Sequence, residues 1–85
     1  MTWKIRVAKT AEKQLRRIPQ KDIARITGAI DSMGVDPFGG DVVKLGGEDS
    51  AWRRRIGNYR IKYRLFAGEK IIDVYDIERR TSSTY

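Results

Sequence analysis

The sequence predicts an α+β domain: one strand, two helices, then a three-stranded antiparallel meander, with both helices packed on one face of the sheet. Three observations predict it. Apolar and charged residues alternate near both ends of the chain, with the period of two that a strand requires. Between those ends apolar residues recur at helical spacing, interrupted at Pro19. A Gly57-Asn58 pair then separates two alternating runs, as the loop of a two-residue hairpin does.

The first strand is "WKIRV", in which Trp3, Ile5 and Val7 alternate with Lys4 and Arg6. Thr10 is placed to cap a helix, with Glu12 in the first turn where the helix dipole favours an acid. Ala11, Leu15 and Ile18 form its apolar stripe up to Pro19. Ile23, Ile26, Ile30 and Met33 form the stripe of a second helix ending at Gly34. Gly28 inside that helix is expected where another element approaches closely, since an unconstrained glycine costs up to about 1 kcal/mol relative to alanine. "VDPFGGD" and the glycines at 46–47 are turns, and neither has a phosphate-loop pattern. "IIDVYDI" is the last strand, with Ile72 and Val74 on one side and Ile71, Tyr75 and Ile77 on the other; apolar residues on both sides place it centrally.

Composition narrows the chemistry. Eighty-five residues are expected to form a single domain spanning 1–85, one that buries only roughly 60% of its unfolded surface. There is no cysteine, so no disulfide or thiolate metal site, and no histidine, the commonest general base and metal ligand. The acids are scattered without ligand spacing, so neither a metal nor another cofactor is expected. No apolar run approaches the ~20 residues of a membrane span and the N-terminal stretch has no signal-peptide core, which makes the cytoplasm the expected compartment and a membrane partner unexpected. The formal charge is +7, and it is segmental: residues 1–30 carry +6, residues 31–51 carry −4 and residues 52–64 carry +6. Such a patch suits a polyanion or an acidic protein.

The second basic segment is the hairpin itself. Closing it at Gly57-Asn58 pairs Ile56 with Tyr59, Arg55 with Arg60, Arg54 with Ile61, Arg53 with Lys62 and Trp52 with Tyr63. One face then carries Trp52, Ile56, Tyr59, Ile61, Tyr63 and Leu65, with Arg54 the sole intruder, and Tyr59 and Tyr63 are core residues. The other carries Arg53, Arg55, Arg60, Lys62 and Arg64. Like charges opposed across a ladder are destabilising. An ordinary solvated face would mix in Glu, Thr or Gln, whereas forked guanidinium donors suit phosphate oxygens or carboxylates.

"KLGG", "WRRRIGNYRIKYRLF" and the closing "IERRTSSTY" together resemble the RelE/ParE superfamily of bacterial toxin–antitoxin systems, over essentially the whole chain. The resemblance implies a toxin of the RelE branch, which cleaves messenger RNA in the ribosomal A site and so would contact ribosomal RNA, and which is neutralised by a cognate acidic antitoxin. It implies catalytic roles for Arg53 and Arg55, where the family has lysines, for Arg60, for Arg79 or Arg80, and for Tyr85. Lys44, Lys62 and Arg64 are the implied RNA-binding residues. RNA supplies its own nucleophile, the 2′-hydroxyl, so the protein needs only to align it, stabilise the phosphorane and move a proton. Arginine stays protonated and is a poor general base, which leaves Tyr85 or Lys62 as proton carriers. Two other readings stay open: a ParE-like poison of DNA gyrase, and a protein of the same fold that binds RNA or antitoxin without cleaving.

Overall fold

The computed structural model describes residues 2–45 and 51–79. Its elements run β1 (Lys4–Val7), α1 (Lys9–Arg16), α2 (Gln20–Val35), β2 (Asp41–Lys44), β3 (Ala51–Ile56), β4 (Tyr59–Phe66) and β5 (Ile71–Arg79). They form one five-stranded sheet in the order β1-β5-β4-β3-β2, with β1 parallel to β5 and the other neighbours antiparallel. The α+β class and the β3-β4-β5 meander are as expected; β2 is additional. It starts on the last residue of "VDPFGGD" and takes its ladder from β3, Asp41 opposite Arg55 through Lys44 opposite Trp52. Four residues after two glycines carry too little alternation to be legible in advance.

The β3-β4 hairpin has the expected register at every rung. Gly57 has φ of +55° at the first loop position, a conformation that residues with a Cβ rarely adopt. The α1 start differs from expectation. Ala8, extended at φ −65° and ψ 155°, is the N-cap, and no side chain caps the helix. Its N–H donates to the Val74 carbonyl at 2.8 Å, so the end of the β1-β5 ladder sets the N-cap two residues before Thr10. Gly28 meets nothing where its Cβ would be; the close approach is at Gly34, where a Cβ would lie 3.3 Å from Ile5 Cδ1 and whose carbonyl accepts from Trp3 N–H at 2.7 Å.

Both helices contribute to the core. Ile26 and Met33 of α2 and Ala11 of α1 are fully buried in the cluster that holds Ile61, Tyr63, Ile72 and Val74 of the sheet. Two phenols tie β4 to its surroundings: Tyr59 Oη donates to Asp22 Oδ2 of α2 at 2.9 Å, and Tyr63 Oη to the carbonyl of Pro37, in the connection between α2 and β2, at 2.6 Å. Burial pushes the Tyr63 phenol up to about 12.

β5 carries a bulge. Tyr63 opposes Val74 and Lys62 opposes Asp76, so Tyr75 is an extra residue with nothing directly across. The insertion shifts the phase of everything after it. Ile77 turns to the core face beside Ile61, opposite to the straight-alternation expectation, and is buried there. β1 ends at Val7 opposite Val74, and no other strand among the described residues continues along that β5 edge. Gln14 of α1 covers it: Oε1 accepts from Ile77 N–H at 2.6 Å, and Nε2 donates to Asp76 Oδ1 at 2.7 Å.

Candidate nucleic-acid interface

The outward face of the sheet, away from the helices, collects Arg53 and Arg55 from β3 and Arg60, Lys62 and Arg64 from β4, with Arg53 across from Lys62 and Arg55 across from Arg60. Their neighbours are less uniform than the hairpin alone implies. On one side β5 sets Glu78 opposite Arg60, Asp76 opposite Lys62 and Asp73 opposite Arg64. On the other, β2 sets Asp41 opposite Arg55. Carboxylates on flanking strands thus offset part of the repulsion within the hairpin. Arg55 Nε lies 2.9 Å from Asp41 Oδ2, Lys62 Nζ lies 3.2 Å from Glu78 Oε2 and 3.7 Å from Asp76 Oδ2, and Arg6 Nε lies 3.3 Å from Asp73 Oδ1.

Arg53 and Arg60 are different. Neither has an ion pair or hydrogen bond among the described residues, and the Nε of each is shut away from solvent without an acceptor. A shielded N–H without a partner costs about 1–3 kcal/mol, and the rest of each guanidinium likewise has no carboxylate or carbonyl partner among the described residues. These two guanidiniums form the part of the face most ready for an anion.

Other candidates are placed elsewhere. Arg79 pairs with Tyr59 on the helix side of the sheet, because the bulge has shifted it off the cationic face. There it lines a cleft of about 210 Å³ with Gln14, Arg17, Ile18, Pro19, Tyr59 and Ile77. Burial and the Asp22 carboxylate push the Tyr59 phenol up, with Arg79 and Arg25 pulling the other way. Lys44 pairs with Trp52, also on the helix side, and is exposed on the edge strand. Arg80 and Tyr85 lie outside the described residues. Arg54, the intruder on the apolar face, turns its Nη1 to α2, donating to the Ala29 carbonyl at 3.2 Å and to Ser32 Oγ at 2.8 Å. The face gains one aromatic that sequence reasoning passed over as a site residue: Tyr75, whose ring lies 4.0 Å beneath the Arg64 guanidinium carbon. The signal for the bulge was present, since apolar positions change from even (Ile72, Val74) to odd (Ile77) within one strand.

Comparison with known proteins agrees with this architecture. Residues 5–83 match the family described as the ParE toxin of the type II toxin–antitoxin system parDE. A Methanocaldococcus jannaschii protein named as a RelE1 toxin is 26% identical over 83 residues, covering 94% of this chain and 92% of the relative. Among solved structures, the archaeal RelE of a RelE–RelB complex from Pyrococcus horikoshii superposes with a TM-score of 0.85 at 26% identity, over 98% of this chain and 100% of that one. The isolated Escherichia coli RelE toxin, at 14% identity, shares the fold with a TM-score of 0.82 over 95% of this chain and 87% of its own. The chain belongs to the ParE toxin family of type II toxin–antitoxin systems, within the RelE/ParE superfamily, and is a RelE-like toxin.

Proposed function

We propose that this toxin is a ribosome-dependent endoribonuclease that cleaves messenger RNA in the A site and so arrests translation in the cytoplasm. The observation that carries this reading is the pair Arg53 and Arg60, which have no ion pair or hydrogen bond among the described residues while Arg55 and Lys62 beside them are ion-paired. Each guanidinium presents forked donors to non-bridging phosphate oxygens. In the reaction the 2′-oxygen attacks phosphorus, the bond to the 5′-oxygen breaks, and the proton lost from the hydroxyl is matched by one gained at the leaving oxygen. Arg53 and Arg60 hold the phosphate and stabilise its added charge; Arg55, ion-paired to Asp41, borders them. Lys62, on the same face, and Tyr85 are the two groups assigned to proton movement, with Lys62 and Arg64 also holding the RNA. Arg79 from the end of β5 and Lys44 from the edge strand contact the RNA or ribosomal RNA, and Arg80 is assigned the same role.

An acidic antitoxin is the proposed protein partner. The Pyrococcus horikoshii neighbour was solved bound to RelB, and a partly disordered acidic segment could bury apolar surface while its carboxylates meet the cationic face. Binding to the native state alone would raise apparent stability by about 4 kcal/mol at ~1,000-fold excess over Kd.

A second reading has one observation in its favour: the matching family is described as ParE, and on that reading the target is DNA gyrase. Primer extension on messenger RNA after induction separates the two. Discrete cuts inside translated frames are expected; intact transcripts with DNA-damage signalling would transfer the assignment to gyrase.

A further inference from the structure

Three tyrosines are described in this fold, and two are anchored: Tyr59 to Asp22 and Tyr63 to Pro37. Tyr75 is not. It lies on the outward face, at the bulge, with no residue directly across from it, and its hydroxyl has no hydrogen bond among the described residues. The core does not need it. Its contact is the Arg64 guanidinium, stacked at 4.0 Å over the ring.

We propose that Tyr75 and Arg64 form a stacking platform that holds one nucleobase of a bound single-stranded RNA, beside the phosphate held by Arg53 and Arg60. This rests on the RNA-cleaving reading above and adds a positioning element to it. Guanidiniums stack on flat rings through weakly hydrated faces that hydrogen bonds in the guanidinium plane do not use, and a nucleobase is such a ring. A tyrosine ring set among cations is the combination by which sequence-tolerant single-strand binders hold bases while their cations track phosphates. Cross-strand spacing puts the platform away from the chemistry. Glu78 marks the Arg60 rung, and Tyr75 precedes it by three residues, about 10 Å at ~3.4 Å per residue. The pair therefore acts on a neighbouring nucleotide, and its loss weakens binding and raises KM with little change in kcat.

The test uses full-length protein and short single-stranded RNAs carrying 2-aminopurine at successive positions. Wild-type protein is expected to quench the fluorophore strongly at one position. Tyr75→Leu is expected to lose that quenching and bind about tenfold more weakly, with an unchanged salt slope, while Tyr75→Phe keeps both. Arg64→Lys, which keeps the charge and loses the planar group, is expected to lose the position-specific quenching as well. Tyr75→Leu and Arg64→Lys proteins with wild-type quenching and affinity would overturn the platform and leave the RNA reading standing. Wild-type protein that binds none of the RNAs would overturn both.

Discussion

Arg53, Arg54 and Arg55 are consecutive, and the two faces of β3 give them separate fates. Arg54 points to the helical layer, where Nη1 finds the Ala29 carbonyl and Ser32 Oγ in the last turns of α2. That helix has no basic residue in its last turn, so Arg54 also places a cation at the negative end of its dipole. Gly40 leaves room for the guanidinium, since a Cβ there would lie 2.9 Å from Arg54 Nε. On the outward face Arg55 has Asp41, and Arg53 has no partner among the described residues. The Nε of Arg54 is also without an acceptor, so the contrast lies in Nη1: among the described residues the Arg54 guanidinium is bonded within the fold and that of Arg53 is not. The inner face spends its arginine on stability, whereas on the outer face Arg53 and Arg60 have no partner among the described residues.

The sharpest way to break this contrast uses adjacent residues on opposite faces of β4. Ile61 is fully buried, opposite Arg54 and Ile77. Ile61→Asp places an unpaired carboxylate there, and a loss of about 4 kcal/mol or more is expected, enough to unfold a domain of this size. Arg60→Ala should keep the wild-type circular dichroism and thermal midpoint while relieving toxicity. If Arg60→Ala unfolded and Ile61→Asp did not, the faces would be assigned backwards.

A smaller effect is expected where the helical face depends on a phenol. Tyr63→Phe leaves the Pro37 carbonyl without its donor and should cost about 1–3 kcal/mol in denaturant unfolding. Burial raises the folded-state phenol to about 12, above the unfolded value of about 10, so the folded form favours the protonated group. The stability this phenol contributes is complete below pH ~10 and is lost as pH rises toward about 12. The difference between wild type and Tyr63→Phe should therefore shrink across that window. A difference that stays constant from pH 8 to 12 would remove the buried phenol from the account.

Arg54→Met tests the inner arginine directly. It keeps much of the aliphatic stem and removes both bonds to α2, so a loss of about 1–2 kcal/mol is expected in thermal unfolding. Ser32→Ala, removing one acceptor of that pair, should cost less than Arg54→Met. Equal stability of Arg54→Met and wild type would make the two faces energetically alike.

How much of this was legible depended on local phase. The hairpin register followed from Gly57-Asn58 alone, because a two-residue loop leaves no freedom in pairing, and the two faces of β3 and β4 followed from the register. The end of β5 was not legible from straight alternation, since Tyr75 inserts one residue and moves Ile77 and Arg79 to the helix side while Asp76 and Glu78 turn outward. That single insertion took one expected cation off the face and put two carboxylates on it. Thr10 lost the cap to Ala8 because a tertiary hydrogen bond from Ala8 to Val74 outranked side-chain preference. Gly28 and Gly34 sit six apart in one helix, and only the position of β1 decides which of them needs to be small.

The smallest expected change in stability is at Arg53, and it sharpens the comparison most. With no partner among the described residues to lose, Arg53→Ala should alter folding stability by no more than about 0.5 kcal/mol. Removal of a like charge opposite Lys62 makes a slight gain the expected sign. Function should respond differently. Each phosphate neutralised on a single strand contributes about −0.7 to the slope of log K against log salt, so RNA binding by Arg53→Ala should show a slope shallower by about that amount. Arg54→Met, on the inner face, should leave the slope as in wild type at a temperature where it is folded. Titration at several salt concentrations measures both. An unchanged slope in Arg53→Ala would mean that this arginine meets no phosphate, and its unpartnered donor would then need a different explanation from the one that separates the two faces.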